Sequence, residues 1–161
     1  MTEIKTLAEE VCALLSDADQ KLAVAESCTG GLLCSVLTSL PRCGSALEQG
    51  FVTYTKSAKI RSLGIDKGLL DRHGVISPEC AQAMAEGAKS QAGVDYGIGI
   101  TGVARPDTAE GKPVGLMYLA CAGAQETVVL KFNFGELERD TIRELGAYSA
   151  LDLLKRILSE Q

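Results

Sequence analysis

The sequence predicts an α/β fold, a three-layer α/β/α sandwich around a mixed sheet. Apolar runs too short for helices alternate with longer stretches of helical periodicity along most of the chain. The last two predicted strands are joined by a short link around Gly123, which favours an antiparallel pair. A sheet that joins this pair to strands separated by helices is mixed, with helices covering its faces.

The first half of the chain begins with an amphipathic helix, because apolar residues such as Leu7, Val11 and Leu15 recur on one face. A later helix is stopped by Pro41, which cannot continue it. The elements predicted here are a helix over 4–18, a buried strand over 22–25, a turn over 26–31, a helix over 32–40, a strand over 50–54 and a short helix over 58–63 closed by Gly64.

The second half contains the clearest helix start. Ser77 can act as the N-cap, Pro78 suits the first helical position, and Glu79 suits the positive end of the helix dipole. The elements predicted here are a helical turn near 69–74, a helix over 78–92, a strand over 96–101, a polar loop over 104–113, strands over 114–121 and 127–134, and a final helix with an apolar face from Ile142 to Leu158.

Composition predicts one domain over residues 1–161 with an aliphatic core, because 46% of residues are apolar and tryptophan is absent. The net charge of −5 argues against a nucleic-acid or anionic-membrane surface, since both need a basic excess. No apolar run approaches the length of a membrane span, and residues 1–5 lack the layout of a signal peptide. We therefore expect a cytoplasmic protein.

The six cysteines invite a disulfide interpretation, which the ample apolar core and the absence of a secretion signal disfavour. No C-x-x-C pair occurs and there is a single histidine, so we do not expect a zinc site. Cys28 follows a predicted strand and precedes a helix, where a thiol can become a nucleophile. The interpretation of Cys28 as a packed thiol is favoured.

Two glycine motifs suggest phosphate binding. Residues 97–102 fit G-x-G-x-x-G, but they lie within a predicted strand and no helix follows, so close packing between layers explains them better. Residues 26–31 lie between a strand and a helix, where amides and the helix dipole favour an anion. Thr29, Gly30 and Gly31 are therefore either a binding turn or a plain bend.

Scarcity of histidine directs attention to other bases. The one histidine, His73, is at a helix end and is more typical of a cap or surface group than of a catalytic triad. Ser45 and Lys59 flank a strand, and Tyr54 ends it. A Ser-Lys pair can activate a hydroxyl if burial lowers the lysine pKa from about 10.4 to roughly 7–8. The alternative is that both are ordinary surface residues.

Four ordered motifs resemble the family of the CinA carboxy-terminal domain, which includes stand-alone nicotinamide-nucleotide amidases. The resemblance covers nearly the whole chain, and it rests on residues 25–31, residues 50–54 with Lys59, residues 101–104 and residues 112–115. It implies a three-layer α/β/α fold with a mainly parallel sheet, and a homo-oligomer. It also implies hydrolysis of the carboxamide of nicotinamide mononucleotide to nicotinic acid mononucleotide and ammonia, without a cofactor.

The resemblance implies roles for particular residues. Ser45 would be the nucleophile, Lys59 its base, and Tyr54 the group that positions the lysine. Thr101 would lie near the oxyanion together with backbone amides. The ligand would be held by Arg143 and by the turn formed by Thr29, Gly30 and Gly31.

The sequence departs from the family pattern chiefly in one loop. The glycine-rich Ala-Gly-Pro-Gly-Gly run becomes Ala104-Arg105-Pro106-Asp107. Arg105 therefore contacts the phosphate, alters substrate choice or closes the pocket. Two other functions therefore stay open beside the mononucleotide amidase. One is a non-catalytic nucleotide- or partner-binding module, and the other is an amidase for a different small amide.

Overall fold

The computed structural model describes residues 1–104 and 109–161, so Arg105 lies outside the described residues. Helices and strands alternate through most of the chain. In order they are α1 (Thr2–Asp17), β1 (Leu22–Glu26), α2 (Leu32–Thr38), a 3-10 helix (Pro41–Ser45), β2 (Leu47–Val52), α3 (Lys56–Leu63), α4 (Lys67–His73), α5 (Pro78–Ala92), β3 (Tyr96–Gly102), β4 (Leu116–Ala122), β5 (Thr127–Asn133) and α6 (Arg139–Ser159).

The five strands found in the described residues form one mixed sheet in the order β2-β1-β3-β4-β5. β1 pairs in parallel with β2 and with β3, whereas β4 pairs antiparallel with both β3 and β5. Four of these five strands therefore point the same way and β4 runs against them. The α/β class, the mixed sheet and the final antiparallel pair are confirmed.

Helices cover both faces of the sheet. α1, α2 and α6 pack over one face, where Leu15, Val24, Ile98 and Leu154 belong to one buried cluster. α5 packs over the other face against small residues, with Met84 and Ala88 buried beside Ala25. The core is aliphatic, as composition predicts, because burial of these side chains supplies the main favourable term in folding.

The start of α5 forms as its sequence predicts. The Ser77 hydroxyl accepts a hydrogen bond from the Cys80 amide at 3.1 Å, and Pro78 is the first helical residue. Gly93, with φ +65°, ends the helix in the left-handed conformation.

The glycine motif of residues 97–102 lies inside β3 and packs directly beneath α5. A Cβ atom at Gly97 would lie 2.1 Å from the Ala85 carbonyl oxygen, and one at Gly99 would lie 2.4 Å from that of Ala81. Close packing between layers is therefore the role of these glycines, and the phosphate-binding interpretation is wrong.

Two features differ from the sequence-based expectations. β2 begins at Leu47 rather than at residue 50, because a 3-10 helix turns the chain into the sheet three residues earlier than its β-branched and aromatic residues suggest. Cys12 and Cys43 form a disulfide, which ties α1 to that 3-10 helix. The expectation of no disulfide was wrong, because pairing depends on the distance between two buried cysteines, here 5.1 Å between Cα atoms.

Candidate active site

A cavity of about 290 Å³ opens at the carboxyl ends of the parallel strands. This is the edge at which α/β sheets usually bind ligands, because loops that leave neighbouring strands converge there. Ser27 follows β1, Tyr54 lies two residues after β2, and Gly102 ends β3. The lining residues are Ser27, Cys28, Tyr54, Val75, Ile76, Thr101, Gly102, Val103, Ala104, Ala109 and Arg139.

Ser27 and Lys59 form a buried pair at this edge. The Lys59 Nζ atom lies 2.9 Å from the Ser27 Oγ atom. The parallel register pairs Glu26 with Val52, so Ser27 and the chain leaving β2 emerge side by side. α3 then begins at the cap Thr55, and its first turn directs the lysine back over the strand ends.

Burial is the main influence on the pKa of Lys59. The residue is fully buried, and this desolvation lowers its pKa from 10.5, because the ammonium form loses its hydration. Besides Ser27, its Nζ atom contacts the carbonyl oxygens of Thr53 at 2.8 Å and of Tyr54 at 3.2 Å. A neutral amine can donate its two protons to these carbonyls and direct its lone pair at the Ser27 hydroxyl, which is the arrangement of a general base.

Ser45 does not contact Lys59, so the prediction that Ser45 is the nucleophile is corrected. Its hydroxyl lies 3.2 Å from that of Ser16 in α1, at the edge of the sheet where β2 begins. Lys59 contacts the chain at the opposite edge, and the intervening six-residue strand spans about 20 Å. Ser45 precedes β2 in sequence and Lys59 follows it, so the two residues lie at opposite ends of the strand. The sequence-based expectation did not take this into account.

Tyr54 lies at the mouth of the cavity, and its side chain is 60% exposed. Its contribution to the position of Lys59 comes from its backbone carbonyl rather than from its phenol. The phenol oxygen instead lies 3.4 Å from an Nη atom of Arg139. Sequence reasoning missed Arg139, which begins α6 one turn before Arg143 and lines the cavity.

Thr101 lies in the cavity wall, but its hydroxyl already has a hydrogen-bond partner within the protein. The Oγ1 atom donates to the Val75 carbonyl oxygen at 2.6 Å. A hydroxyl has one proton, so in this arrangement Thr101 cannot also donate to an oxyanion. It instead fixes the neighbouring wall of the cavity.

The turn of residues 29–31 is not open to an anion from outside. Gly30 and Gly31 adopt positive φ, at 59° and 97°, as a tight bend requires. The carboxylate of Glu26 accepts hydrogen bonds from the amides of Leu33 at 2.9 Å and Cys34 at 3.1 Å. A buried carboxylate of the chain itself therefore occupies the start of α2, and the plain-bend interpretation is supported.

Arg143 supports this bend rather than lining the cavity. Its Nη2 atom donates to the Thr29 carbonyl oxygen at 2.8 Å, and its Nη1 atom lies 3.0 Å from an Asp140 carboxylate oxygen. Both ends of the guanidinium thus have partners within the protein. The expected ligand contacts of Arg143 and Thr29 are replaced by a contact between them. Within residues 1–104 and 109–161, Arg139 is the arginine that lines the cavity.

The surroundings of Cys28 and His73 favour structural roles for both residues. Burial raises the pKa of the Cys28 thiol to about 12, so the thiol stays protonated near neutral pH, as expected of a packed residue. His73 ends α4 with its Nδ1 atom 3.5 Å from a Glu79 carboxylate oxygen, and it does not line the cavity.

Residues 1–104 and 109–161 contain no group of three or more His, Cys, Asp or Glu side chains able to hold a metal ion. No helix within them is both long and apolar enough to cross a membrane.

Comparison with known sequences points to one family. The model of the CinA C-terminal domain matches residues 4–158. A CinA-like protein of Syntrophotalea carbinolica is 42% identical over 155 residues, which cover 96% of this chain and 37% of that protein. A CinA-like protein of Gloeobacter violaceus is 44% identical over 154 residues, or 94% of this chain and 36% of that protein. The chain thus spans little more than a third of these curated relatives.

Solved structures agree over nearly the whole chain. The competence/damage inducible protein CihA from Agrobacterium tumefaciens has a TM-score of 0.92 and 32% identity, covering 97% of this chain and 95% of that chain. A competence-damaged protein (CinA) superfamily protein from Escherichia coli has a TM-score of 0.90 and 32% identity, covering 95% and 90%. Sequence and structure together show that the chain belongs to the CinA C-terminal domain family.

Proposed function

We propose that this chain is an amidohydrolase that converts nicotinamide mononucleotide to nicotinic acid mononucleotide and ammonia. The observation that carries the proposal is the buried contact of 2.9 Å between Lys59 Nζ and Ser27 Oγ at the floor of a cavity. Membership of the CinA C-terminal domain family supports the reaction class, because the sequence resembles amidases of that family.

The proposed reaction has two stages. Neutral Lys59 takes the Ser27 proton as the Oγ atom attacks the carboxamide carbon, and a backbone amide, which we propose is that of Cys28, stabilises the oxyanion that forms. The C–N bond then breaks, and the leaving nitrogen takes the proton from the Lys59 ammonium and departs as ammonia. This leaves an ester on Ser27. Lys59 next deprotonates a water molecule that attacks the ester, and it returns the proton to Ser27 as the acid product leaves.

The cavity wall suits the two ends of this substrate. Val75, Ile76 and Val103 offer an apolar surface for a pyridine ring. Arg139 supplies a guanidinium that can bind a phosphate through two parallel hydrogen bonds. We propose that the phosphate binds beside Arg139 and the phenol of Tyr54, with the carboxamide directed at Ser27.

Ammonia release from nicotinamide mononucleotide tests the proposal. Ser27→Ala and Lys59→Ala are each expected to reduce kcat by about 10³-fold or more, because each removes one member of a catalytic unit. Ser45→Ala is the matched control and is expected to keep wild-type activity, because Ser45 lies at the far edge of the sheet. Full activity in either pair variant would remove the pair from the mechanism.

Arg139→Gln tests the orientation of the substrate. We expect kcat/KM for nicotinamide mononucleotide to fall about 30-fold, because a charge-assisted hydrogen bond contributes roughly 2 kcal/mol. The same variant is expected to act normally on nicotinamide riboside, which lacks the phosphate. An equal loss on both substrates would place the phosphate elsewhere.

The same assay separates the two other functions. Release of ammonia from a different amide in a panel, with none from the mononucleotide, would indicate another substrate. Calorimetric binding of the mononucleotide without turnover would indicate a binding module.

A further inference from the structure

Glu110 has a backbone conformation that its residue type disfavours. It and Gly111 are the central residues of a tight turn, in which Ala109 pairs with Lys112 and accepts a hydrogen bond from the Lys112 amide at 2.9 Å. Both central residues have positive φ, 53° at Glu110 and 70° at Gly111. Turns of this kind favour Asn or Asp before Gly, because longer side chains rarely adopt positive φ. Local turn chemistry therefore does not account for the glutamate.

The Glu110 carboxylate instead binds a distant segment of the chain. Its Oε1 atom accepts hydrogen bonds from the amides of Val75 at 3.0 Å and Ile76 at 2.9 Å, and its Oε2 atom lies 3.2 Å from the Val75 nitrogen. Gly74 provides the space, since a Cβ atom there would lie 2.5 Å from Oε2. Gly74 also has φ +80° and ψ 173°, a conformation open mainly to glycine.

The segment held in this way is a wall of the cavity. Val75 and Ile76 both line it, and so does Ala109 beside the glutamate. The Val75 carbonyl oxygen accepts the Thr101 hydroxyl at 2.6 Å, so Val75 is bonded to Glu110 through its amide and to β3 through its carbonyl. Without Glu110, the amides of Val75 and Ile76 would lose their carboxylate partner.

We propose that Glu110 is a positioning residue that clamps Val75 and Ile76 and so shapes the surface on which the substrate ring rests. The proposal rests on the proposed function for its substrate. The unfavourable φ at Glu110 is offset by the hydrogen bonds to the two amides, and strain of this kind is typical of functional sites.

Two substitutions at Glu110 distinguish the effect of its hydrogen bonds to Val75 and Ile76 from the effect of its turn conformation. Glu110→Asn places a residue that suits positive φ better, but its side chain is one methylene shorter and loses the two amides. Glu110→Gln keeps the length and a carbonyl oxygen that can accept from both amides. We expect Glu110→Asn to raise KM for nicotinamide mononucleotide about tenfold with kcat within about threefold, and Glu110→Gln to restore KM to within about threefold of wild type.

Hydrogen exchange of the amides of Val75 and Ile76 gives a readout that needs no substrate. Glu110→Asn should speed their exchange about tenfold or more while the melting temperature is maintained, and Glu110→Gln should not. Wild-type KM or wild-type exchange in Glu110→Asn would overturn the proposal. If the wild-type protein hydrolyses no amide, the proposed function fails, and the exchange rates alone decide whether the clamp exists.

Discussion

At the scale of single residues, the proposed chemistry depends on the burial of one lysine, Lys59. Within the part of the chain that the structure describes, the Lys59 Nζ atom has no carboxylate among its hydrogen-bond partners. It contacts two carbonyl oxygens and the Ser27 hydroxyl. Burial is the largest influence on its pKa and acts to lower it. A lysine that served only to form an ion pair would have a carboxylate partner, as Lys67 has in Asp71.

The lowered pKa of Lys59 predicts a pH dependence of folding and of activity. Between the pKa of Lys59 in the folded protein and its ordinary pKa of 10.5, the unfolded chain binds more protons, so the free energy of unfolding rises with pH across that window. Below the folded pKa both states are protonated, and the contribution to the slope disappears. Lys59→Met should flatten this part of the profile, measured by urea unfolding at a series of pH values.

The activity of the wild-type protein should rise with pH as Lys59 loses its proton, at a pKa below 10.5. An unfolding profile unchanged by Lys59→Met, or an activity that falls through this range, would contradict the assignment of a neutral lysine.

At the scale of elements, the packing of α5 on β3 depends on glycine. Gly97 and Gly99 place backbone atoms of α5 so close to the strand that no Cβ atom fits between them. Hydrophobic periodicity identifies both elements correctly, and the choice between close packing and phosphate binding follows from the position of the motif inside the strand.

Gly99→Ala should therefore destabilise the fold by about 1 to 3 kcal/mol, because overpacking moves α5 away from the sheet. Gly44→Ala is the matched control, since nothing lies within 4 Å of a Cβ atom there. The free energy of unfolding of both variants can be measured by denaturant unfolding. Equal stability of the two variants would show that α5 can shift without cost.

At the scale of the whole molecule, the two edges of the sheet have different roles. The carboxyl edge carries the Ser27–Lys59 pair and the cavity. The opposite edge carries the Cys12–Cys43 disulfide, which joins α1 to the 3-10 helix that leads into β2. This separation predicts that reduction of the Cys12–Cys43 disulfide lowers stability without changing activity.

Replacing both Cys12 and Cys43 with serine should lower the free energy of unfolding by about 3 to 4 kcal/mol, because a cross-link across 31 residues restricts the unfolded chain. The kcat for ammonia release should stay near the wild-type value. Adding a reductant should destabilise the wild-type protein and leave the double variant unchanged. A reductant with no effect on the wild type would contradict a structural disulfide.

The sequence alone determined the order of elements, the start of α5 and the mixed α/β class, because periodicity, capping and glycine or proline signals act over a few residues. It also predicted Lys59 and Tyr54 as site residues, because both lie shortly after a single strand end. The sequence could not determine which serine contacts Lys59. Ser27 lies 32 residues from Lys59 in sequence, and parallel pairing of β1 with β2 brings the two together, whereas the much nearer Ser45 is carried to the opposite edge.

The tertiary structure likewise decided the roles of the arginines and of the glycine turn. Arg139 and Arg143 are one helical turn apart, and only the docking of α6 shows that the first lines the cavity while the second holds the Thr29 carbonyl. The start of α2 has the local features of an anion site, but the buried carboxylate of Glu26 fills it. In each case a short-range pattern defines what a residue can do, and long-range packing selects the partner with which it does it.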